Sequence, residues 1–274
     1  MSHPFIPQVI ELVRAAGAAT LPYWRSGVAV TEKADASPVT AADLAAHHIL
    51  LDGLQALALE VPVLSEEAAN IPLAERAGWT HWWLVDPLDG TKEFIAGSEE
   101  FTVNVALIER GRVVFGVVGI PANGRCYYGG AGLGAWRSEV PGDEQSISVR
   151  LVPAQGFTLV ASKRHSSPAQ ETLIAGLAAR FGEPALANIG SSLKFCLLAE
   201  GNADCYPRLA PTSQWDTAAA QGVLEGARGE VLDLAGAALT YEARESFLNP
   251  SFLALPAAAE WRGELIELAR ALQS

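Results

Sequence analysis

The chain is constrained most by residues 82–94, where the apolar run Trp82-Trp83-Leu84-Val85 passes into Asp86-Pro87-Leu88-Asp89-Gly90-Thr91-Lys92-Glu93-Phe94. The run reads as a buried strand, and the polar residues after it read as a turn at the strand's end. Pro87 has a fixed φ and biases Asp86 away from the helical region. Gly90 permits a backbone conformation that other residues resist. Asp86 and Asp89 can then converge on one point, with the Leu88 carbonyl between them. Hard cations such as Mg²⁺ take carboxylate and carbonyl oxygens, often together with substrate phosphate. The plain alternative is a polar turn whose aspartates hydrogen-bond their own backbone. The segment alone does not decide between the two.

A chain of 274 residues can bury a large core, as one domain or as two lobes sharing a cleft. With 50% hydrophobic and 18% charged residues it is globular. The net charge of −12 argues against binding a nucleic-acid polymer, which needs basic surface. A nucleotide or another small phosphate ester stays open, because bound metal ions reverse the local field. The three cysteines, Cys126, Cys196 and Cys205, form neither a disulfide framework nor a Cys-x-x-Cys zinc pair. No secretory signal is visible at Met1-Ser2-His3-Pro4-Phe5, and no apolar run approaches the ~18–20 residues of a membrane span. The expectation is a cytoplasmic protein. Peripheral association with the inner membrane stays open, without a basic amphipathic helix to support it. Oligomeric state, a homodimer included, is not legible.

Ile6, Ile10, Val13, Gly17 and Leu21 recur at helical spacing and predict a helix over 5–25. A polar stretch at 33–40 precedes a second helix, predicted over 41–59. Strands are expected at 61–64, 82–86, 101–108, 112–120, 125–128 and 134–137, with a hairpin at Glu109-Arg110-Gly111-Arg112. Composition turns polar at Val140-Pro141-Gly142-Asp143, which is read as the boundary between lobes 1–142 and 143–274. Beyond it, strands (157–161, 203–206, 229–232) alternate with helices (168–181, 191–200, 214–227), and a last helix is predicted over 259–272. The fold class is therefore α/β in layers.

Further carboxylates stand at element ends. Glu66 and Glu67 follow the apolar Val63-Leu64; Asp43 and Asp216 lie at helix starts. Helix capping explains Asp43 and Asp216 individually, and solvation explains the glutamates. Carboxylates gathered in one cleft would repel one another, and divalent cations would remove that cost. The metals could then activate a water and stabilise a leaving alkoxide. Spacing alone does not show that these residues meet.

Three motifs in order, Glu66-Glu67, Asp86-Pro87-Leu88-Asp89-Gly90-Thr91 and Trp215-Asp216, resemble the lithium-sensitive, magnesium-dependent phosphatase superfamily of the inositol monophosphatases and fructose bisphosphatases. Their order and separations match over nearly the whole chain. Within it the chain looks most like the bacterial 3′(2′),5′-bisphosphate nucleotidases of the CysQ type. That branch is suggested by Lys92-Glu93-Phe94, Ser162-Lys163-Arg164-His165, Gly190-Ser191-Ser192-Leu193-Lys194-Phe195-Cys196, Tyr206-Pro207-Arg208 and Arg244-Glu245-Ser246-Phe247-Leu248-Asn249-Pro250. Lys163-Arg164 departs from the Arg-Ser more usual before the histidine.

The resemblance implies a two-lobed αβαβα sandwich and two or three Mg²⁺ ions held by Glu66, Asp86, Asp89, Asp216 and the Leu88 carbonyl. It implies Asp43 with Thr91 as the unit that orients and deprotonates water, and Glu67 as an outer metal ligand or support. Gly90, Thr91, Ser162, His165, Gly190, Lys194, Arg208 and Asp216 would contact substrate, with Gly190-Ser191-Ser192 as an anion cradle at a helix start. Surface solvation is the plain alternative for Lys194 and Arg208, and a loop hydrogen bond for His165. Trp215 reads as packing. The implied reaction is hydrolysis of adenosine 3′,5′-bisphosphate to AMP and phosphate. The rivals are an inositol-1-phosphate phosphatase or fructose bisphosphatase of the same superfamily, and a non-catalytic nucleotide or cation sensor.

Overall fold

The computed structural model describes residues 3–27, 30–32, 38–57, 60–153, 156–161 and 168–273. The chain opens with helix α1 (Ile6–Thr20), a hairpin of β1 (Val30–Glu32) and β2 (Pro38–Thr40), and helix α2 (Ala41–Leu57). α1 turns Ile6, Val9, Val13 and Ala16 inward, the three-and-four spacing of one helix face. β3 (Val63–Ser65), a short helix α3 (Leu73–Arg76), β4 (His81–Asp89) and a one-turn helix α4 (Thr91–Ile95) follow. Then come β5 (Thr102–Glu109), β6 (Arg112–Ile120), β7 (Arg125–Gly130), β8 (Gly134–Ser138) and β9 (Glu144–Ser146). β3 to β9 form one seven-stranded sheet in chain order, parallel only between β3 and β4.

Both faces of this sheet are covered. Trp83 and Val85 of β4 join a core with α1 and α2, while Trp82 and Leu84 join the core on the opposite face. A strand buried on both faces has no polar side to show, so β4 reads as an unbroken apolar run.

The remaining elements are β10 (Thr158–Ala161), α5 (Pro168–Phe181), β11 (Ala185–Asn188), α6 (Leu193–Ala199), β12 (Tyr206–Arg208), α7 (Ala218–Gly226), β13 (Gly229–Asp233), β14 (Phe252–Pro256) and α8 (Arg262–Arg270). β12, β14 and β13 pair antiparallel in that order; β10 pairs parallel with β11, and a Leu159–Cys205 bridge joins the two groups. α6 and α7 lie between the sheets: Phe195 and Val223 share a core with Leu84 and Val118 on one side and Tyr206 and Ala254 on the other. α5 and α8 close the far face over Leu159, Leu253 and Leu255. The layers run helix, sheet, helix, sheet, helix, as the family resemblance implied.

α7 sits unusually close to the first sheet. A Cβ on Gly222 would stand 2.6 Å from the Gly116 backbone nitrogen of β6. Glycine on both partners lets the two backbones meet. The first sheet continues through β9, past position 142, and α7 packs on β5 to β8.

Sequence and structure part at several edges. β9, β11 and β14 were not anticipated, although β14 is the central strand of its sheet. The strand expected at 203–206 lies at Tyr206–Arg208, and the helix expected from 214 begins at Ala218, because residues 213–216 form a turn closed by the Asp216 side chain. The helix expected over 259–272 is Arg262–Arg270, followed by a 3₁₀ turn, Ala271–Gln273. Among the described residues no helix is long and apolar enough to cross a membrane.

Candidate active site

The site is built at the end of β4. Pairing with β5 is regular to the Asp86–Asn104 pair and then shifts before Asp89. The irregularity turns the chain, and the Leu88 N–H donates to Asp86 Oδ1 at 3.0 Å. The aspartate that closes the turn is thus also one that lines the cleft, so closing the turn does not take Asp86 away from it. Gly90 follows at φ +91°, where a Cβ would stand 2.9 Å from the Glu100 carbonyl oxygen. Neither the conformation nor the space admits another residue.

A cavity of about 260 Å³ opens here, lined among others by Glu66, Asp86, Leu88, Asp89, Thr91 and Asp216. The structure therefore brings together in one cleft the three motifs that stand far apart in sequence. Asp86 is 1% exposed. Burial pushes its carboxyl well above the usual carboxylate range, and Glu66, Asp89 and Asp216 push the same way. Burial also raises Asp216, with Asp89 adding to it; the Ser213 N–H, 2.8 Å from Asp216 Oδ2, opposes the rise. Among the described residues no basic side chain forms an ion pair with Asp86, Asp89 or Asp216. Nor are three acidic, histidine or cysteine side chains drawn tight enough to clasp an ion as they stand. One buried carboxylate, three half-buried ones and one carbonyl fit a hard divalent cation such as Mg²⁺, which takes oxygen ligands.

Thr91 opens α4 beside this group. Its hydroxyl lies 3.2 Å from the Leu88 carbonyl oxygen and 3.4 Å from Asp43 Oδ1. Asp43 is 2% exposed, and its other oxygen accepts from the Thr40 N–H at 2.8 Å and the Thr40 hydroxyl at 2.6 Å. Thr40 and Asp43 thus cap α2 reciprocally. The capping explanation holds for Asp43, and the same side chain still reaches Thr91. Burial raises the Asp43 carboxyl against those hydrogen bonds, and Glu67 adds to the rise.

A second chamber of about 190 Å³ adjoins the first, sharing Asp89, Gly90, Lys92, Glu93 and Asp216. Lys194, Arg208 and Tyr206 line its far side. Surface solvation does not describe Lys194, which is 6% exposed. Its ammonium donates to the Ser191 carbonyl at 3.0 Å; burial lowers its pKa, with Arg208 adding to this and Asp89 opposing it. Arg208 donates to the Ala210 and Pro211 carbonyls at 3.0 and 2.8 Å, which aims the guanidinium across the opening. Gly190 is placed differently from the anion cradle that was expected. Its N–H donates to Glu100 Oε2 at 2.7 Å, because the loop folds back onto Glu100. Ser162 and His165, like Lys163 and Arg164, lie outside the described residues. Trp215 packs on Phe247 with ring centroids 5.1 Å apart, as expected of a packing residue.

Asn104 was missed, and Ser192 was anticipated only as part of the Gly190-Ser191-Ser192 anion cradle. Asn104 is a lone buried amide in the apolar Val103-Asn104-Val105-Ala106 of β5, and Ser192 is the residue before α6. The Ser192 hydroxyl lies 2.7 Å from Asp89 Oδ2, and Asn104 Nδ2 donates to it at 2.8 Å. A polar residue interrupting a strand core was the available signal for Asn104.

Comparison with known proteins agrees with this geometry. The model of the inositol monophosphatase family matches residues 1–273. The 3′(2′),5′-bisphosphate nucleotidases CysQ of Salmonella typhimurium and of Escherichia coli K12 are each 46% identical over 250 residues, covering 90% of this chain and 98% of theirs. The crystal structure of CysQ from Bacteroides thetaiotaomicron superposes with a TM-score of 0.81 at 37% identity, over 92% of this chain and 96% of that one. An IMPase from Thermotoga maritima shares the fold at a TM-score of 0.79 and 21% identity, over 99% and 98% of the two chains.

Proposed function

This chain belongs to the inositol monophosphatase family, and from that premise we propose that it is a Mg²⁺-dependent, lithium-sensitive 3′(2′),5′-bisphosphate nucleotidase. Its substrate is adenosine 3′,5′-bisphosphate, and its products are AMP and phosphate. In the cytoplasm this would clear the by-product of sulfate activation. The observation that carries the substrate class is the pair of adjoining chambers, one walled by carboxylates and the other closed by Lys194 and Arg208. A substrate with two phosphates on one ribose would use both. A monophosphate would leave Lys194 and Arg208 without a phosphate to hold.

Glu66, Asp86, Asp89, Asp216 and the Leu88 carbonyl would hold two or three Mg²⁺ ions. Bound there, Mg²⁺ supplies neutralisation of phosphate charge and activation of the attacking water. The protein's own groups position the rest. Asp43 accepts the Thr91 proton, which leaves a lone pair of the Thr91 oxygen to take a proton from water. As the water attacks the 3′-phosphorus, the bond from phosphorus to the ribose 3′-oxygen breaks; the water proton passes to Thr91, the Thr91 proton to Asp43, and the leaving 3′-oxygen takes a proton from solvent water to become the hydroxyl of AMP. The water attacks directly, and no phosphate is parked on the protein. Lys194 and Arg208 hold the 5′-phosphate, Lys194 as a point charge and Arg208 as a fork.

The test is phosphate release from adenosine 3′,5′-bisphosphate, inositol 1-phosphate and fructose 1,6-bisphosphate with Mg²⁺, with and without lithium. Lithium-sensitive turnover favouring the nucleotide is the expected result. Preference for inositol 1-phosphate would overturn the substrate while keeping the metal site. No turnover of any of them would favour a sensor.

A further inference from the structure

We infer that Ser192 and Asn104 form a positioning pair that locks Asp89 and the Asp216 turn into one metal-binding unit. The inference rests on the reading of Asp89 as a metal ligand. Three elements meet at the Ser192 hydroxyl. It stands 2.7 Å from Asp89 Oδ2 at the end of β4 and 2.8 Å from the Asp216 carbonyl oxygen before α7. It also accepts from Asn104 Nδ2 of β5 at 2.8 Å. Ser192 is 2% exposed and Asn104 1%.

Proton counting assigns the roles. A serine hydroxyl has one proton. Asn104 is a donor to Ser192, so the Ser192 proton is free for Asp89 or the Asp216 carbonyl. An ionised Asp89 is the stronger acceptor, and the resulting charge-assisted bond fixes which way that carboxylate faces. Asn104 Nδ2 stands 3.5 Å from the same Asp89 oxygen, on the same side. Both donors engage Oδ2, which leaves Oδ1 for the cleft. When the proton turns to the Asp216 carbonyl instead, Ser192 ties α6 to the residue that carries the other carboxylate.

The local backbone is shaped for this contact. Ser191 adopts φ +47°, a left-handed conformation uncommon for a residue with a Cβ, and the buried Lys194 ammonium holds its carbonyl at 3.0 Å. Asn104 sits opposite Asp86 in the β4–β5 register, so one strand pair carries a cleft carboxylate on β4 and its neighbour's support on β5. Partners that orient metal ligands commonly carry 10- to 100-fold of metal affinity without touching the ion.

The experiment is Mn²⁺ binding by calorimetry, without substrate, on the full chain and on Ser192→Ala, Asn104→Ala and Asp89→Asn, beside Mg²⁺ titrations of phosphate release. Ser192→Ala and Asn104→Ala should each raise the Mn²⁺ Kd and the half-saturating Mg²⁺ about tenfold. The KM for adenosine 3′,5′-bisphosphate at saturating Mg²⁺ should stay put. The double variant should lose little more than either single one, since the two residues act through one hydrogen-bonded path. If Ser192→Ala does not fold, Ser192→Cys, with similar volume and a weak donor, replaces it and should show the same shift. Loss of Mn²⁺ binding in Asp89→Asn with unchanged binding in the other two overturns the pair alone. Unchanged binding in all three overturns both the ligand reading and the pair. A raised KM with unchanged Mn²⁺ affinity also overturns it.

Discussion

Replacing Asp86 by asparagine should abolish activity and yet stabilise the metal-free protein. Asp86 is 1% exposed, its side chain accepts the Leu88 N–H at 3.0 Å, and Glu66, Asp89 and Asp216 all disfavour its charge. Asparagine keeps the shape and keeps an acceptor for Leu88, but removes the charge. The gain has a ceiling. At pH 8 a carboxyl with an ordinary value of 3.8 can always take up a proton for about 6 kcal/mol, so its charge never costs more than that. Hydration and relaxation of the cluster reduce this, and about 1–3 kcal/mol is the expected gain. At about 2–3 °C per kcal/mol, Tm in EDTA should rise by about 2–9 °C. The sign with pH follows from the raised carboxyl. Its contribution to wild-type stability is whole below the ordinary carboxylate range and is lost as pH rises toward the folded pKa. The advantage of Asp86→Asn should therefore be small near pH 4 and larger near pH 8. Saturating Mg²⁺ should reverse the order, because an ion at 100 times its Kd stabilises the wild type by about 2.7 kcal/mol and the variant much less. Scanning calorimetry in EDTA and in Mg²⁺ at both pH values reads all of this. An Asp86→Asn Tm in EDTA at pH 8 no higher than wild type would refute the idea that the ligand cluster stores repulsion which a cation relieves.

Other changes separate positioning from chemistry. Thr91→Ala removes the hydroxyl between Asp43 and the Leu88 carbonyl; phosphate release should fall by about 10²-fold or more while Mn²⁺ binding persists, as kinetics beside calorimetry would show. Lys194→Met should raise the KM for adenosine 3′,5′-bisphosphate about 10- to 100-fold, the scale of one lost hydrogen bond to a charged group. In the same assays it should leave inositol 1-phosphate, with no second phosphate, nearly unaffected. Gly222→Ala places a Cβ 2.6 Å from the Gly116 nitrogen and should cost about 3 kcal/mol or more in urea unfolding. Gly263→Ala in α8, where a Cβ would meet nothing within 4 Å, should instead be neutral or stabilise by up to about 1 kcal/mol.

The contrast between Asp86 and Ser192 shows why some of the site is legible in sequence and some is not. Asp86-Pro87-Leu88-Asp89-Gly90-Thr91 is a local device: its turn, its left-handed glycine and its carboxylates lie within six residues, so residue types reveal it. The long helices and the paired strands were legible for a related reason, since they carry their own periodicity, whereas the order of the layers came from the family resemblance. β14 was not, because Phe252-Leu253-Ala254-Leu255-Pro256 is a short apolar run with no alternation to distinguish strand from helix. Its place at the centre of a sheet is set by β12 and β13, which flank it in space and precede it in sequence. Lys194 looks like any surface lysine until α6 is placed between two sheets. Ser192 is separated from Asn104 by 88 positions and from Asp89 by 103, so nothing in the sequence near any of them announces the contact. Such contacts depend on how closely elements far apart in sequence approach, as α7 and β6 do where the glycines at 116 and 222 let their backbones meet. The residues that perform chemistry are therefore written in motifs, whereas those that hold them are written in packing. A substitution at Gly222 should reach the proposed metal site for this reason, although it touches none of the proposed ligands.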